Sequence, residues 1–211
     1  MQNGAHGLDS DLPWYTDICG YVNDGVYCNE NLMFSIEIPE DWHVYSLEEM
    51  GEYGVPSSTA RLVFDAEADH RIDPGDEVYD LMCDDSEGHR ISVLLNFWGY
   101  NPPYDVLTRT HLNNIMRDSR TELEADSTVS RVTRDDPTLV EVNGQLVYTI
   151  NWTIHHEDGS ETYRTEIIDF YQSSTRVVAI EYNSPEELEE YMSLITYQAD
   201  NTFPSTEETS S

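Results

Sequence analysis

The fold is decided by residues 25–42, which have the sequence GVYCNENLMFSIEIPEDW. Phe34, Ile36 and Ile38 place an apolar side chain at every second position, which is the period of a half-buried strand. Pro39 then ends the strand, because proline has no backbone N–H to donate to a neighbouring strand. The stretch therefore predicts a short strand, a polar turn, a second strand and a firm stop.

Length and charge limit the classes of function. The chain has 211 residues, enough for one domain with a sizeable core. It carries 42 acidic and 10 basic residues, a net charge of −32 at pH 7, and its basic residues are all arginine. Such a surface repels nucleic-acid phosphates and anionic membranes, so both are poor partners, whereas cations and basic proteins are attracted. No apolar run approaches the ~18 residues of a membrane-spanning helix, so no membrane insertion is expected.

Hydrophobic periodicity predicts an alternation of strands and a few helices. The predicted strands are 60–66, 78–83, 90–98, 128–134, 138–142, 145–156, 162–171 and 176–182. Asn143-Gly144 and Asp158-Gly159 are hairpin turns between strands. Apolar residues at helical spacing predict a helix over 104–125, and a capping box at Ser184 begins a closing helix that extends to about residue 198.

These elements predict an α+β fold. Strand 90–98 is apolar on both faces, which indicates a central strand that is covered on both sides. We therefore expect an α-β-α sandwich: a central antiparallel sheet of about six to eight strands, covered by helices on both faces. Residues 20–198 form a single domain in this interpretation. Residues 1–19 are a flexible N-terminal arm and residues 199–211 a disordered tail.

The element order and the opening strands resemble the PsbP-like superfamily. The resemblance rests on Asp24–Tyr27, Asn31–Ile36, Ile38–Trp42, the Asn143-Gly144 strand series and the closing helix. It implies an α-β-α sandwich with a central antiparallel sheet. It also implies a protein that binds other proteins or ligands, as the PsbP extrinsic protein of photosystem II, the DcrB periplasmic proteins and many small secreted lipoproteins of bacteria do. Enzymes are not the rule in this group.

The loop from residue 97 to residue 104 is the best candidate for ligand binding. Trp98, Tyr100, Asn101 and Tyr104 combine aromatic rings with an amide at the end of the predicted central strand. Such side chains lose little entropy on binding and suit sugar or peptide contacts. The alternative is a rim that closes the core over the start of the helix.

The acidic stretch 65–87 is a candidate calcium site. Asp65, Glu67, Asp69 and Asp73 supply the oxygen ligands that Ca²⁺ prefers. The first three have the spacing of the first, third and fifth positions of an EF-hand loop. The glycine and the glutamate that such a loop needs at its sixth and twelfth positions are absent, so a solvated acidic loop is the alternative. No other cofactor is expected.

Three cysteines are too few for a disulfide framework. Cys19 and Cys28 can form one disulfide, because Gly20 and Gly25 between them allow the chain to fold back. The alternative is that all three cysteines are idle thiols. Their spacing to histidines does not indicate zinc.

The sequence contains none of the common catalytic motifs, so no enzyme is predicted. We expect a non-catalytic, secreted or cell-surface module that binds a protein or a small ligand. The alternative is a cytoplasmic acidic adaptor, chaperone or immunity-type protein that masks a basic partner protein.

Overall fold

The computed structural model describes residues 19–46, 49, 77–97, 104–171 and 174–197. Most of these residues belong to two antiparallel sheets. The small sheet has four strands, in the spatial order β1, β2, β3 and β12. Its strands are β1 (Tyr21–Asn23), β2 (Val26–Asn29), β3 (Phe34–Glu37) and β12 (Ile195–Tyr197).

The large sheet has eight strands, in the spatial order β4, β5, β6, β11, β10, β9 and β7, with β8 also beside β9. Its strands are β4 (His43–Val44), β5 (Glu77–Asp84), β6 (Arg90–Phe97), β7 (Val129–Arg134), β8 (Thr138–Val142), β9 (Gln145–His156), β10 (Glu161–Tyr171) and β11 (Ser174–Tyr182). Strand β9 is long enough for β8 and β7 to pair with its two halves. Strand β6 lies between β5 and β11, which confirms that it is central.

Helix α1 (Tyr104–Glu124) covers one face of the large sheet. Leu112 and Ile115 lie one turn apart, and both pack against the cluster that contains Ile150, Trp152 and Ile168 of the sheet. The predicted helix over 104–125 is confirmed, because its apolar stripe is long and strictly periodic.

The opposite face of the large sheet packs against the small sheet. Phe34 and Ile36 of β3 share one buried cluster with Val93, Val178 and other residues of β6 and β11. Beside this cluster, a 3₁₀ turn (Pro185–Glu187) leads into helix α2 (Leu188–Ser193). The main core therefore lies between two sheets.

The predicted α-β-α sandwich, with helices covering both faces of the sheet, is wrong. The described chain is mostly β, and a second sheet covers one face. The error lies in the closing helix, which ends at Ser193 instead of near residue 198. Ile195 and Tyr197 alternate with an exposed Thr196 and pair with β3, which buries Ile195 completely (0% exposed). The stabilisation gained by burying Ile195 in the pair of strands β12 and β3 thus outweighs that of a longer closing helix.

Local signals give the turns correctly. Asn143 and Gly144 have φ values of 47° and 87°, the left-handed backbone that a tight two-residue hairpin needs. No helix of the described ranges is both long and apolar enough to cross a membrane. The predicted tail, the predicted strand 60–66 and the predicted arm apart from Cys19 lie outside the described residues.

Candidate ligand pocket

A pocket of about 290 Å³ lies between helix α1 and the large sheet. Its floor is a ladder of three cross-strand pairs between β6 and β11. Asn96 pairs with Thr175, Leu94 with Val177, and Ser92 with Ala179. Because side chains alternate along a strand, all six lie on the face towards α1. Along β11 the floor is thus polar at Thr175, apolar at Val177 and lined by small side chains at Ala179. These three positions span four residue steps, or about 13 Å of strand.

Helix α1 forms the roof. His111, Ile115, Asp118 and Glu122 recur at spacings of three to four residues, so they lie on one face of the helix and line the pocket. Burial lowers the pKa of His111 to about 4, so this imidazole is neutral at pH 7. The roof therefore places carboxylates near its C-terminal end and a neutral imidazole near its N-terminal end.

Arg164 and Glu166 of β10 form one end of the pocket and are both buried, at 6% and 0% exposure. The Nε atom of Arg164 lies 3.2 Å from Oε1 of Glu166, and its Nη1 lies 3.1 Å from Oε1 of Glu122. Trp152 Nε1 donates a hydrogen bond of 3.1 Å to Oε2 of Glu166. A guanidinium in a largely enclosed site is thus held between carboxylates from the helix and the sheet.

The protonation states of Glu166 and Arg164 follow from their burial and from the charges around them. Burial raises the pKa of Glu166, while Arg164 and the hydrogen bonds from Ser119 and Trp152 act in the opposite direction. Burial disfavours the charge of Arg164, yet the surrounding carboxylates raise its pKa. Arg164 is therefore always charged, and a proton binds Glu166 more tightly than an ordinary glutamate.

The network around Arg164 carries more negative than positive charge. Arg164 Nη1 also lies 3.4 Å from Glu181, which lies 3.9 Å from Arg90, and Arg90 lies 3.3 Å from Asp84. With Glu122 and Glu166, four carboxylates face two guanidiniums. Asp84, Arg90 and Glu181 lie outside the pocket lining. The lining itself has three carboxylates (Asp118, Glu122 and Glu166) and two guanidiniums (Arg117 and Arg164), so it carries one more negative than positive charge when all are ionised.

Three buried polar atoms of residues that line the pocket make no hydrogen bond within the described chain. They are Oγ1 of Thr175, at the polar end of the floor, and the two facing atoms of an ion pair, Oε1 of Glu166 and Nε of Arg164, which lie 3.2 Å apart. Buried polar groups are nearly always hydrogen-bonded, and leaving one without a partner costs about 1–3 kcal/mol. Thr175, Glu166 and Arg164 all line the pocket, and of the three atoms Thr175 Oγ1 is the one that also lacks an ion-pair partner.

The predicted ligand residues Trp98, Tyr100 and Asn101 lie outside the described residues. Tyr104 begins helix α1, and its side chain lies outside the described part of the structure. Asn96 on the pocket floor is the last residue but one of β6, so the described strand ends at the polar end of the pocket. The role of the predicted loop in binding stays a prediction.

The predicted calcium ligands Asp65, Glu67, Asp69 and Asp73 also lie outside the described residues. A calcium site there stays a prediction. In the structure Cys19, Cys28 and Cys83 are not joined by a disulfide, and the Cys19–Cys28 disulfide likewise stays a prediction.

Sequence analysis missed Arg164, Glu166 and Glu122. On a strand, charged residues at every second position resemble a solvent-facing row, and Arg164 and Glu166 fit that pattern. The available signal was Ile168, an apolar residue that follows them on the same face of the strand. The structure buries it completely. When a possible ion pair and an apolar residue lie on the same face of an inner strand, that face of the sheet is expected to be buried.

Two stacked sheets with a helix over the outer face define a β-rich domain with a lateral pocket. No protein-family model matches the chain, and no curated protein matches it. A solved structure of cyanobacterial PsbP (CyanoP) from Synechocystis sp. PCC 6803 is similar to it, at a TM-score of 0.50 and 13% identity, covering 85% of this chain and 97% of that one. A structure from Bacteroides thetaiotaomicron has a TM-score of 0.36 and 12% identity, covering 81% of this chain and 47% of that one. The chain therefore has a PsbP-like fold, which confirms the resemblance found in the sequence.

Proposed function

We propose that this chain is a non-catalytic binding module that holds a small ligand in the pocket between α1 and the large sheet. The observation that carries the proposal is the buried Thr175 hydroxyl, which has no hydrogen bond within the described chain, in a cavity that is also lined by the Arg164–Glu166 ion pair. A concave, largely apolar pocket with a few polar groups is the usual form of a small-molecule site. The PsbP-like fold is compatible with a binding role.

The charged groups of the pocket support binding over catalysis. Arg164 and Glu166 are fixed by each other and by Glu122, so neither is placed to exchange a proton with a substrate. His111, the histidine that lines this pocket, has a pKa of about 4 and is a weak base at pH 7. Fixed charges in a preformed cavity favour selective binding.

The test uses two variants of neighbouring asparagines on α1. Asn114 lines the pocket and is partly buried, whereas Asn113 is exposed. Asn114→Phe is expected to fill the pocket, and Asn113→Phe is the matched control with the same change of side chain. Methyl NMR spectra are recorded with a panel of linear aliphatic amines, alcohols and carboxylates.

Binding is expected to shift the methyl signals of the pocket residues Leu94, Ile115 and Val177. The shifts should persist in Asn113→Phe and be lost in Asn114→Phe. Wild-type spectra that no compound of any class changes would contradict the proposal. Equal shifts in both variants would place the binding elsewhere.

A further inference from the structure

We propose that the ligand of this pocket is a linear aliphatic amine with a neutral hydrogen-bonding group at its far end. The inference rests on the proposed function, and it assigns the chemical class of the ligand and its direction. The ammonium group binds at the end formed by Glu122 and Glu166. The neutral group binds at the end formed by Thr175 and Asn96.

The acidic end selects a cation. Arg164 uses its Nε and Nη1 atoms on Glu166, Glu122 and Glu181, at distances of 3.1–3.4 Å. Its charge is thus already opposed by several carboxylates, and an incoming anion meets net repulsion. An ammonium brings N–H donors and a positive charge, and Glu122 and Glu166 offer it carboxylate oxygens. Oε1 of Glu166 is ion-paired with Arg164 but accepts no hydrogen bond within the described chain.

The middle of the pocket selects methylene groups. Leu94 and Val177 form a cross-strand pair on the floor, and Ile115 faces them from the helix. This apolar section separates the acidic end from the polar end. A ligand with polar groups along its whole length, such as a sugar, would leave some of them unpaired there.

The far end selects a neutral polar group. Thr175 is buried, and its hydroxyl is without a partner within the described residues, so it can both donate and accept a hydrogen bond. Asn96 pairs with Thr175 across the floor, and neither side chain is charged. His111 on the roof is neutral at pH 7. A hydroxyl or an amide fits this end better than a second charge.

The length of the floor favours an extended ligand over a compact cation. Glu166 lies opposite Ala179 on β11, and Thr175 is four residues further along the same strand. At about 3.3 Å per residue, the two ends are separated by about 13 Å of strand. The side chains at the two ends occupy part of this distance, and the remaining length suits a chain of several methylene groups.

The test compares three linear probes with the same six-carbon chain: aminohexanol, hexanediol and hydroxyhexanoate. Their affinities are measured by methyl NMR titration of the full chain at pH 7 and constant ionic strength. We expect aminohexanol to bind at least about tenfold more tightly than hexanediol, because a charge-assisted hydrogen bond replaces a neutral one. Hydroxyhexanoate should bind more weakly than hexanediol.

Two variants locate the selectivity. Glu122→Gln removes a carboxylate at the pocket, and Glu124→Gln removes one from the exposed side of the same helix, so both change the net charge equally. The preference for the amine should fall in Glu122→Gln and persist in Glu124→Gln. Glu166→Gln, which keeps an acceptor for Trp152, should also lower the preference wherever thermal unfolding shows that it folds.

The outcomes separate the ligand class from the binding module. If hexanediol or hydroxyhexanoate binds the pocket as tightly as aminohexanol, the ligand class is wrong and the binding module stands. An equal loss of preference in Glu122→Gln and Glu124→Gln would also overturn the ligand class, because overall charge would then explain it. If none of the three probes shifts the pocket methyl signals, the ligand class is overturned, and the binding module is overturned as well when the full panel of amines, alcohols and carboxylates has no effect.

Discussion

The guanidinium carbon of Arg176 lies 4.0 Å from the centre of the Phe34 ring, so that a cation of the large sheet stacks on an aromatic ring of the small sheet. Tyr197 of the small sheet lies 4.9 Å from the same carbon atom. Arg176 Nη1 donates a hydrogen bond of 2.8 Å to the carbonyl oxygen of Leu32, and its Nη2 donates to the carboxylate of Asp169. One buried arginine, 1% exposed, therefore joins both sheets.

Arg176→Met should lower the free energy of unfolding by about 3 kcal/mol, because it leaves the buried carboxylate of Asp169 without its partner. Urea denaturation measures the change. Arg131→Met, at an exposed position of β7, is the control and should change stability by less than about 0.5 kcal/mol. Adding Asp169→Asn to Arg176→Met should recover part of the loss. A single variant within about 1 kcal/mol of the wild type would show that this contact does not hold the sheets together.

Asp80 makes a second connection between the sheets. It stands at a β-bulge of β5, where the register shifts between Tyr79 and Leu81. Its Oδ2 atom accepts hydrogen bonds from Tyr27 Oη, from Asn29 Nδ2 at 3.0 Å and from the Gly20 backbone N–H at 2.8 Å. Burial raises the pKa of Asp80, although these hydrogen bonds act to lower it.

The raised pKa of Asp80 determines how the free energy of unfolding depends on pH. Because the folded state binds the proton of Asp80 more tightly than the unfolded chain, the charged carboxylate destabilises the fold above its folded pKa. That cost disappears as the pH falls through the folded pKa towards 3.8, its ordinary value. Relative to Asp80→Asn, the wild type should therefore gain stability as the pH falls from neutral towards 3.8. Urea denaturation of both proteins at each pH tests this, and a constant or opposite difference would contradict it.

His89 connects the turn between β5 and β6 to the segment before α2. Its Nδ1 lies 2.6 Å from Oδ2 of Asp85, its Nε2 lies 3.4 Å from Oε2 of Glu187, and its ring centre lies 5.7 Å from that of Tyr191. Asn183 Nδ2 is 3.3 Å from the same Nε2 atom. Burial disfavours the imidazolium, but Asp85 and the nearby glutamates raise the pKa of His89 above 6.5.

His89→Gln should therefore destabilise the protein more at low pH than at high pH. The stabilisation from the charged imidazole is fully present below pH 6.5 and is lost as the pH rises through the folded pKa. We expect a loss of about 1–2 kcal/mol near pH 5.5 and a smaller one near pH 8.5, measured by urea denaturation. Asp85→Asn should remove the same pH dependence, and combining the two changes should add little. An equal loss at both pH values would contradict the ion pair.

The sequence predicts those parts of the fold whose signals are local. The positive φ of Asn143 and Gly144 and the apolar stripe of α1 depend on residues close together in the chain. The alternation in 145–156 predicts β9 with its bounds. In each case the residues that form the element also carry its signal.

The cover of the large sheet and the candidate pocket could not be predicted in this way. Ile195 is fully buried only because β12 pairs with β3, about 160 residues away in sequence, and an apolar residue there fits a helix equally well. Arg164 and Glu166 become a buried pair only because Glu122 and the rest of α1 lie over them. Long-range contacts of this kind leave no period in the sequence.

The large negative charge predicts a dependence of stability on salt. A net charge of −32 makes the folded state repel itself, and the exposed carboxylates of Glu186, Glu189 and Glu190 crowd one short segment at α2. Salt screens this repulsion, so the melting temperature should rise by about 3–6 °C between about 10 mM and about 200 mM NaCl. An unchanged melting temperature would contradict this prediction, because it would show that repulsion between the carboxylates does not measurably destabilise the fold. CaCl₂ and MgCl₂ at equal ionic strength are the control: equal melting temperatures indicate screening alone, whereas a further rise with calcium would support the predicted site at Asp65 to Asp73.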